Sequence, residues 1–436
     1  MQFIQTNNLQ VGKDKRMKKT PLYEWHVANG GNMADFSGYE MPIWYTAGIK
    51  EEHMSVLLRA GIFDTSHMAV ATVDGPGAFD LLQHCFSKDL TKCVGLKRTP
   101  ISSRRCVYGV FLNENGEVID DAITYPLDEN RFMIVVNAGM GEIIASHLAE
   151  YKNSHDVTIT NLTDKVAKMD IQGPMSAVIL SKLLENPERV FSKIPYFSFK
   201  GHFDPENKRS GEVALQDGAP LLLSRSGYTG EFGFEIFINP AHIVSLWENI
   251  LEIGAEFNIK PCGLGSRDSL RTGAVLPLSH QDIGHWPFIN NPWSFALPYN
   301  DDLSGFTKEF IGSKALQHIE KPDYTYVFTG YDVRKVSAGK NSEVIDSNGD
   351  SIGSVLTCAT DMGIGRLDNK IVSITSPDKP EDFFPKGLSC GFVKVDRPFE
   401  TEDALTLREG KRKIKVEVRN DIRPYRSAKI PVMETL

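Results

Sequence analysis

The chain has 436 residues, 41% of them hydrophobic, and a formal charge of −8 from 48 basic and 56 acidic side chains. That is apolar material for two or three domain cores, and the lack of a clustered basic face argues against nucleic acid as a partner. No apolar run reaches 18 residues and no secretory h-region opens the chain, so a soluble, cytoplasmic protein with no membrane partner is expected.

Residues 1–19, with Lys13, Lys15, Arg16, Lys18 and Lys19, read as a disordered lead-in, with Met17 open as an alternative start. Periodicity predicts a helix over 49–61, with Met54, Leu57 and Leu58 on one face and Gly61 at its stop. Strand 69–73 leads through Asp74-Gly75-Pro76 into a helix whose apolar stripe is Phe79, Leu82, Cys85 and Phe86. Strand-like runs 105–112 and 117–125 flank Asn113-Glu114-Asn115-Gly116, a hairpin signal. With strand 131–136 and helix 141–151 they complete a compact α+β unit of the ferredoxin-like kind. A third segment holds strand 166–171, helix 174–184, strands near Ala219 and Phe234, and helix 241–257. Segment 287–322, rich in Pro, Asn and aromatics, reads as a connector. From Tyr324 onward helical periodicity gives way to short strands punctuated by Gly, Asp and Asn, as in a separate small β barrel or sandwich.

Six cysteines without a C-x-x-C pair give no zinc or redox signal, and no metal is expected. Gly349-Asp350-Ser351-Ile352-Gly353 matches the G-x-S-x-G pattern of hydrolases, but that nucleophile needs a strand-to-helix turn and both flanks here read as strands.

Three segments could carry chemistry. If the hairpin closes on a two-residue Asn115-Gly116 loop, Leu112, Val110 and Tyr108 face Ile119, Asp121 and Ile123. Asp121 then shares its face with Tyr108 and Tyr125, while Asp120 points the other way. An acid in that company is costly unless paired or working; the plainer alternative is an exposed Asp121 beside a solvated twin. In the run from Ser224 to Glu235, Gly227, Gly230 and Gly233 allow close approach to a flat group, and Glu235 on the face opposite Phe234, Ile236 and Ile238 could accept paired hydrogen bonds from an amidine-like edge. A tight turn followed by an exposed strand glutamate accounts for the same spacing. In Cys262 to Arg271, Arg267 and Arg271 share a helix face suited to an anion, or Asp268 and Arg271 make a minor surface ion pair.

These segments occur in order with Thr20-Pro21-Leu22-Tyr23, Met41-Pro42-Ile43-Trp44-Tyr45, Gly61-Ile62-Phe63-Asp64-Thr65-Ser66-His67-Met68 and Gly116-Glu117-Val118-Ile119-Asp120-Asp121. Together they resemble the folate-dependent aminomethyltransferase (T-protein) family of the glycine cleavage system. Pro277-Leu278 followed by Asp282 is similar to that family's L-P-L-Y-G-x-D stretch, and the likeness, which spans about Thr20 to Ile283, returns at Arg423-Pro424-Tyr425-Arg426.

The resemblance implies an α+β, three-domain cloverleaf with a central folate channel: a folate-binding domain from 20–69 plus 163–323, a ferredoxin-like domain 70–162 and a C-terminal β barrel 324–436. It implies Asp121 as the catalytic carboxylate, Glu235 at the pterin edge, and Tyr108, Tyr125, Asn137, Tyr228 and Arg267 at other folate-side positions. Tetrahydrofolate would be the one-carbon acceptor, lipoylated H-protein the donor and partner, and ammonia the leaving product. Two departures bear on the donor. Thr272-Gly273 stands where the family usually has Leu-Glu, which removes an acid beside the channel, and the C-terminal T-S-G-x-x-S-P-T-L stretch becomes Thr357 to Gly365. Residues 376–387 look inserted. A paralogous demethylase or methyltransferase acting on a small N-, O- or S-methyl donor, and a non-catalytic folate-binding protein, are the competing readings.

Overall fold

A computed structural model describes residues 17–95, 97–152, 155–339 and 341–436. Most of the expected lead-in lies outside them. Residues 17–19 are not free: the backbone of Lys18 pairs beside Tyr39, and its ammonium lies 2.8 Å from Asp164.

One six-stranded sheet runs in the order Phe199–Gly201, Leu221–Ser224, Gly233–Ile238, Ala167–Gln172, Gly61–Asp64, Lys260–Pro261, antiparallel but for the last pair. Its first face is apolar. Ile171, Leu223, Phe234 and Ile236 receive the helix Ile243–Gly254, whose buried positions Ile243, Leu246, Trp247 and Ile250 recur at helical spacing. Burying such side chains is worth about 1.5–3 kcal/mol each, which anchors this layer.

The helix Gly48–Leu58 differs from expectation. It buries Glu52, His53, Ser55, Val56 and Leu57, leaves Leu58 exposed and ends before Gly61, which opens the next strand. Packing explains that glycine: a Cβ there would sit 2.6 Å from Cys262 Sγ and 2.7 Å from Val56 Cγ2.

The second sheet has the order Val107–Leu112, Val118–Asp128, Arg131–Val136, Ala69–Asp74, Thr158–Asn161. Helices Ala78–Cys85 and Gly141–Glu150 bury Leu81, Leu82, Ile144 and Leu148 against its Ala122, Ile134 and Val136. This is the ferredoxin-like order with one added edge strand. Its other face meets the six-stranded sheet, with Tyr125, Met133 and Val135 packed on Phe199, Leu222 and Phe237.

The hairpin between them is subtler than a two-residue loop. Asn113 closes a three-residue loop by bonding Gly116 and Glu117, with Gly116 at φ +76°, so Leu112 faces Val118 and not Ile119. A bulge then restores Val110 opposite Asp121 and Tyr108 opposite Ile123. Two one-residue irregularities cancel, and Asp121 keeps its expected face.

From Tyr324 the chain forms a closed antiparallel barrel of six strands, and the hydrolase-like motif sits in a strand–turn–strand hairpin with Gly349 at φ +92°. Segment 287–322 is more than a connector: its Phe288, Trp293, Leu297, Phe310 and Leu316 form one core with Val110 and Leu112 of the hairpin and Cys390 and Phe392 of the barrel. No helix among the described residues is long and apolar enough to cross a membrane.

The barrel is also pinned by charge. Asp361 bonds the Arg423 guanidinium and the His53 Nε2 (3.0 Å), and Arg423 reaches Glu231 (3.1 Å), all fully or nearly buried. Helix Leu264–Gly273 makes room for this cluster only because its last residue lacks a side chain: a Cβ on Gly273 would lie 1.8 Å from Asp361 Oδ2 and 2.4 Å from Arg423 Nη1. Gly273→Ala should therefore cost about 1–3 kcal/mol in denaturant unfolding, and less in an Asp361→Ala background, because the two changes share one contact. Equal losses in both backgrounds would remove Asp361 as the constraint on Gly273.

Candidate functional site

Between the two sheets lies a cavity of about 520 Å³. The ferredoxin-like sheet lines it with Tyr108, Asp121, Tyr125 and Asn137, and the opposite layer with Tyr228, Glu235 and Arg267. All seven residues singled out from the sequence therefore meet in one place, though they span positions 108 to 267.

Asp121 accepts a hydrogen bond from Tyr108 Oη (2.8 Å) and another from Asn137 Nδ2 (2.6 Å). Asp120 is not a solvated twin. It is completely buried, accepting the Asn137 backbone N–H (2.9 Å) and side-chain Nδ2 (2.8 Å). Strand alternation does turn the two carboxylates apart, but Asn137, just past the end of its own strand, straddles the edge and ties them together. Burial raises the proton affinity of both, and the charge of Asp120 raises that of Asp121 further. The pair holds a proton well above the ordinary carboxylate range and titrates as a unit.

Glu235 lies on the expected face, opposite Asp170 on the neighbouring strand. It is not a free acceptor, however. Lys168 Nζ sits 2.6 Å from one of its oxygens, and Ser226 Oγ donates to the other. The same ammonium reaches Asp170 (2.7 Å), which accepts Arg267 Nη1 (2.7 Å). Arg267 lies over the Tyr228 ring at 5.0 Å, and the Tyr228 hydroxyl donates to the Pro277 carbonyl. A chain of alternating charges thus runs along one wall.

Lys168 and Asp170 were missed in the sequence reading. Their signal was present: two charged residues two apart in the strand Ala167–Gln172 must share a face, and Lys168 on that face lines the cavity. Arg271 was expected to share an anion site with Arg267, yet it is fully buried against Asp268 (2.7 Å), Asp282 and Thr357 (3.1 Å). Its charge is spent on pairing, which tethers the barrel strand Ser351–Asp361 to the cavity wall.

Three buried polar atoms of cavity-lining residues lack partners: the Tyr125 hydroxyl, His67 Nδ1 and Arg105 Nε. Burial pushes the His67 imidazole down to about 4, so it is neutral near pH 7. Lys88, Arg105 and Lys429 add positive charge to the lining. Elsewhere, Ser269 Oγ, His53 and Asp361 make a Ser-His-Asp line (2.7 and 3.0 Å), but it is sealed in the core and borders no part of this cavity.

Comparison with known proteins finds a family match over residues 22–286, described as the GCVT N-terminal domain. The aminomethyltransferase of Alkaliphilus metalliredigens is 32% identical over 342 residues, 78% of this chain and 85% of that protein. The aminomethyltransferase of Lysinibacillus sphaericus is 31% identical over 389 residues, 88% of this chain and 98% of its own length. The crystal structure of the glycine cleavage system aminomethyltransferase T from Bartonella henselae superposes with a TM-score of 0.72 at 26% identity, covering 92% of this chain and 97% of that one.

The acid pair has a consequence for stability. A carboxyl whose proton affinity is raised by folding favours the fold below about pH 4, where both states are protonated, and loses that contribution as pH rises through the folded-state value. Asp121→Asn removes the ionisation. In the ligand-free protein it should raise the thermal midpoint more at about pH 8 than at about pH 5. An equal or opposite pH trend would show that the pair is not held protonated by burial.

Proposed function

The chain belongs to the aminomethyltransferase family, and on that premise we propose that it transfers the methylene of an aminomethyl group from lipoylated H-protein to tetrahydrofolate in the central cavity, releasing ammonia. One observation carries the reading: the half-buried carboxylate of Asp121, tied through Asn137 to the buried Asp120, and the carboxylate of Glu235 face a single cavity from opposite sheets. The lining fits a reduced pterin with an acidic tail. It offers an aromatic wall, unpartnered buried groups at Tyr125 and His67, a carboxylate acceptor at Glu235 and cations at Lys88, Arg105 and Lys429.

In this reading Asp121 acts on the acceptor amine, supplying negative charge where cationic character develops. Tyr108 and Asn137 hold its carboxylate in place, so no reorganisation is needed during reaction. Glu235 accepts from the pterin edge while its ion pair with Lys168 fixes it in place. Tyr125, Tyr228 and Arg267 pack and orient the ring system. The folate site is assigned to 20–69 plus 163–323, the acid pair to 70–162 and a covering role to 324–436. The cytoplasm is the compartment proposed, in keeping with cysteines that are all free thiols.

The departures that kept a small methyl donor open lie against each other in space. Gly273 makes room for Asp361, a carboxylate from the altered segment that pairs with Arg423 and His53 in the core, away from the cavity. They thus give no argument for another donor.

Asp121→Asn should lower turnover with lipoylated H-protein about a hundredfold, or about 3 kcal/mol, while leaving tetrahydrofolate affinity largely intact. Asp120→Asn should also slow turnover, since it loosens Asn137. Steady-state rates decide the matter: full activity in Asp121→Asn, or activity only with small methyl donors, would overturn the reading. Glu235→Gln should weaken tetrahydrofolate by about 1.5–3 kcal/mol in calorimetry, through loss of a charged acceptor. Unchanged affinity would move the pterin edge elsewhere.

A further inference from the structure

The acid pair is enclosed by neutral groups on its cavity side. Tyr108 and Asn137 hold Asp121, and Tyr228 stands across the space. Among the described residues, no Lys or Arg pairs with either carboxylate. The basic group within reach is His280, whose Nε2 lies 3.8 Å from Asp120 Oδ1.

His280 belongs to a tight turn in which Gln281 and Asp282 both bond back to Leu278 (3.2 and 2.8 Å). Its φ is +62°, a region that suits glycine and strains a side chain. The L-P-L-Y-G-x-D stretch to which this turn is similar has glycine at this place, whereas here an imidazole is carried at some conformational cost. That imidazole bridges two environments. Its side chain is 32% exposed, while the Asp120 carboxylate behind it is at 0%. The other titratable groups around it are few: Asp121 beside Asp120, His285 from its own loop with ring centroids 6.2 Å apart, and Asp282, already occupied by Arg271 and Thr357.

We propose that His280 is a positioning residue that shares a proton with the Asp120–Asp121 pair and so sets the pH at which the pair becomes fully ionised. The exchange is balanced and needs no co-reactant. A carboxyl O–H gives its proton to the Nε2 lone pair, leaving a carboxylate beside an imidazolium, and the exposed edge of the ring returns the proton to water. The 3.8 Å gap is closed by a side-chain rotation or one bridging water. An imidazolium beside Asp120 favours its charged form, and through Asp120 the protonation of Asp121 follows. Burial and His285 hold the imidazole below its ordinary value, against the pull of Asp121, while burial holds the carboxyls above theirs.

The inference rests on the catalytic reading of Asp121, and the test separates the two. The acid limb of the kcat profile is measured at saturating tetrahydrofolate and lipoylated H-protein for the parent, His280→Gly, His280→Gln and His280→Lys. Without the imidazole, protons that would sit on it stay on the carboxylates, so the limb should move up by about half a pH unit or more in the Gly and Gln variants. A fixed cation should move it down in His280→Lys. KM for tetrahydrofolate should stay within about twofold, since His280 does not line the cavity. Free imidazole should return part of the shift in His280→Gly, and that variant should be at least as heat-stable as the parent, because glycine accepts the turn. Coincident acid limbs in all four proteins would overturn the proposal while Asp121→Asn remains about a hundredfold slowed. An active Asp121→Asn would instead overturn the catalytic reading beneath it.

Discussion

A buried ammonium must be matched by carboxylates or it cannot be buried at all, and Lys168 is matched twice. Its side chain is 3% exposed and touches both Glu235 and Asp170. Unpaired, such a charge costs several kcal/mol, so the strands that carry these three residues must align in one register. That register turns Ile171, Phe234 and Ile236 to the helical side and leaves the charged face toward the ferredoxin-like sheet. The two sheets pack through Tyr125, Phe199 and Phe237 but do not close over the charges, and the cavity is what remains between them.

Similar logic holds the barrel in place. Arg271 meets Asp282 and Thr357, and Arg423 meets Asp361 and Glu231. Each cluster is satisfied by groups from distant parts of the chain, so each specifies one arrangement of the barrel against the rest. Satisfied buried ion pairs of this kind add specificity more dependably than stability. Their saturation also separates structural charge from functional charge. Arg271 has nothing left to offer a ligand, whereas Asp120 and Asp121 have only neutral donors and a half-exposed imidazole nearby, and keep their proton as a result. Burial without a cationic partner is a means of keeping a carboxyl titrating toward neutral pH.

The sequence by itself determined the α+β class and the ordered motifs that mark the family, and the resemblance those motifs carry implied the C-terminal barrel and the residues that line the cavity. The class and the motifs are matters of alternation, turn chemistry and local spacing, which act over a few residues and can be read in one dimension. Even the hairpin prediction survived a wrong loop length, because the bulge that follows the loop reversed the error before Asp121.

Tertiary structure alone decided what each of those side chains is free to do. Asp120 is a buried partner and not a solvated twin, since Asn137 arrives from another strand to bind both acids. Glu235 is clasped by Lys168, Arg271 is consumed by Asp282, and the space beside Gly273 is filled by the carboxylate of Asp361. Charge pairing depends on distance in space, and desolvation depends on everything packed around a group. Neither is a function of spacing along the chain, so the chemistry of the site became legible only once the two sheets and the barrel were brought together.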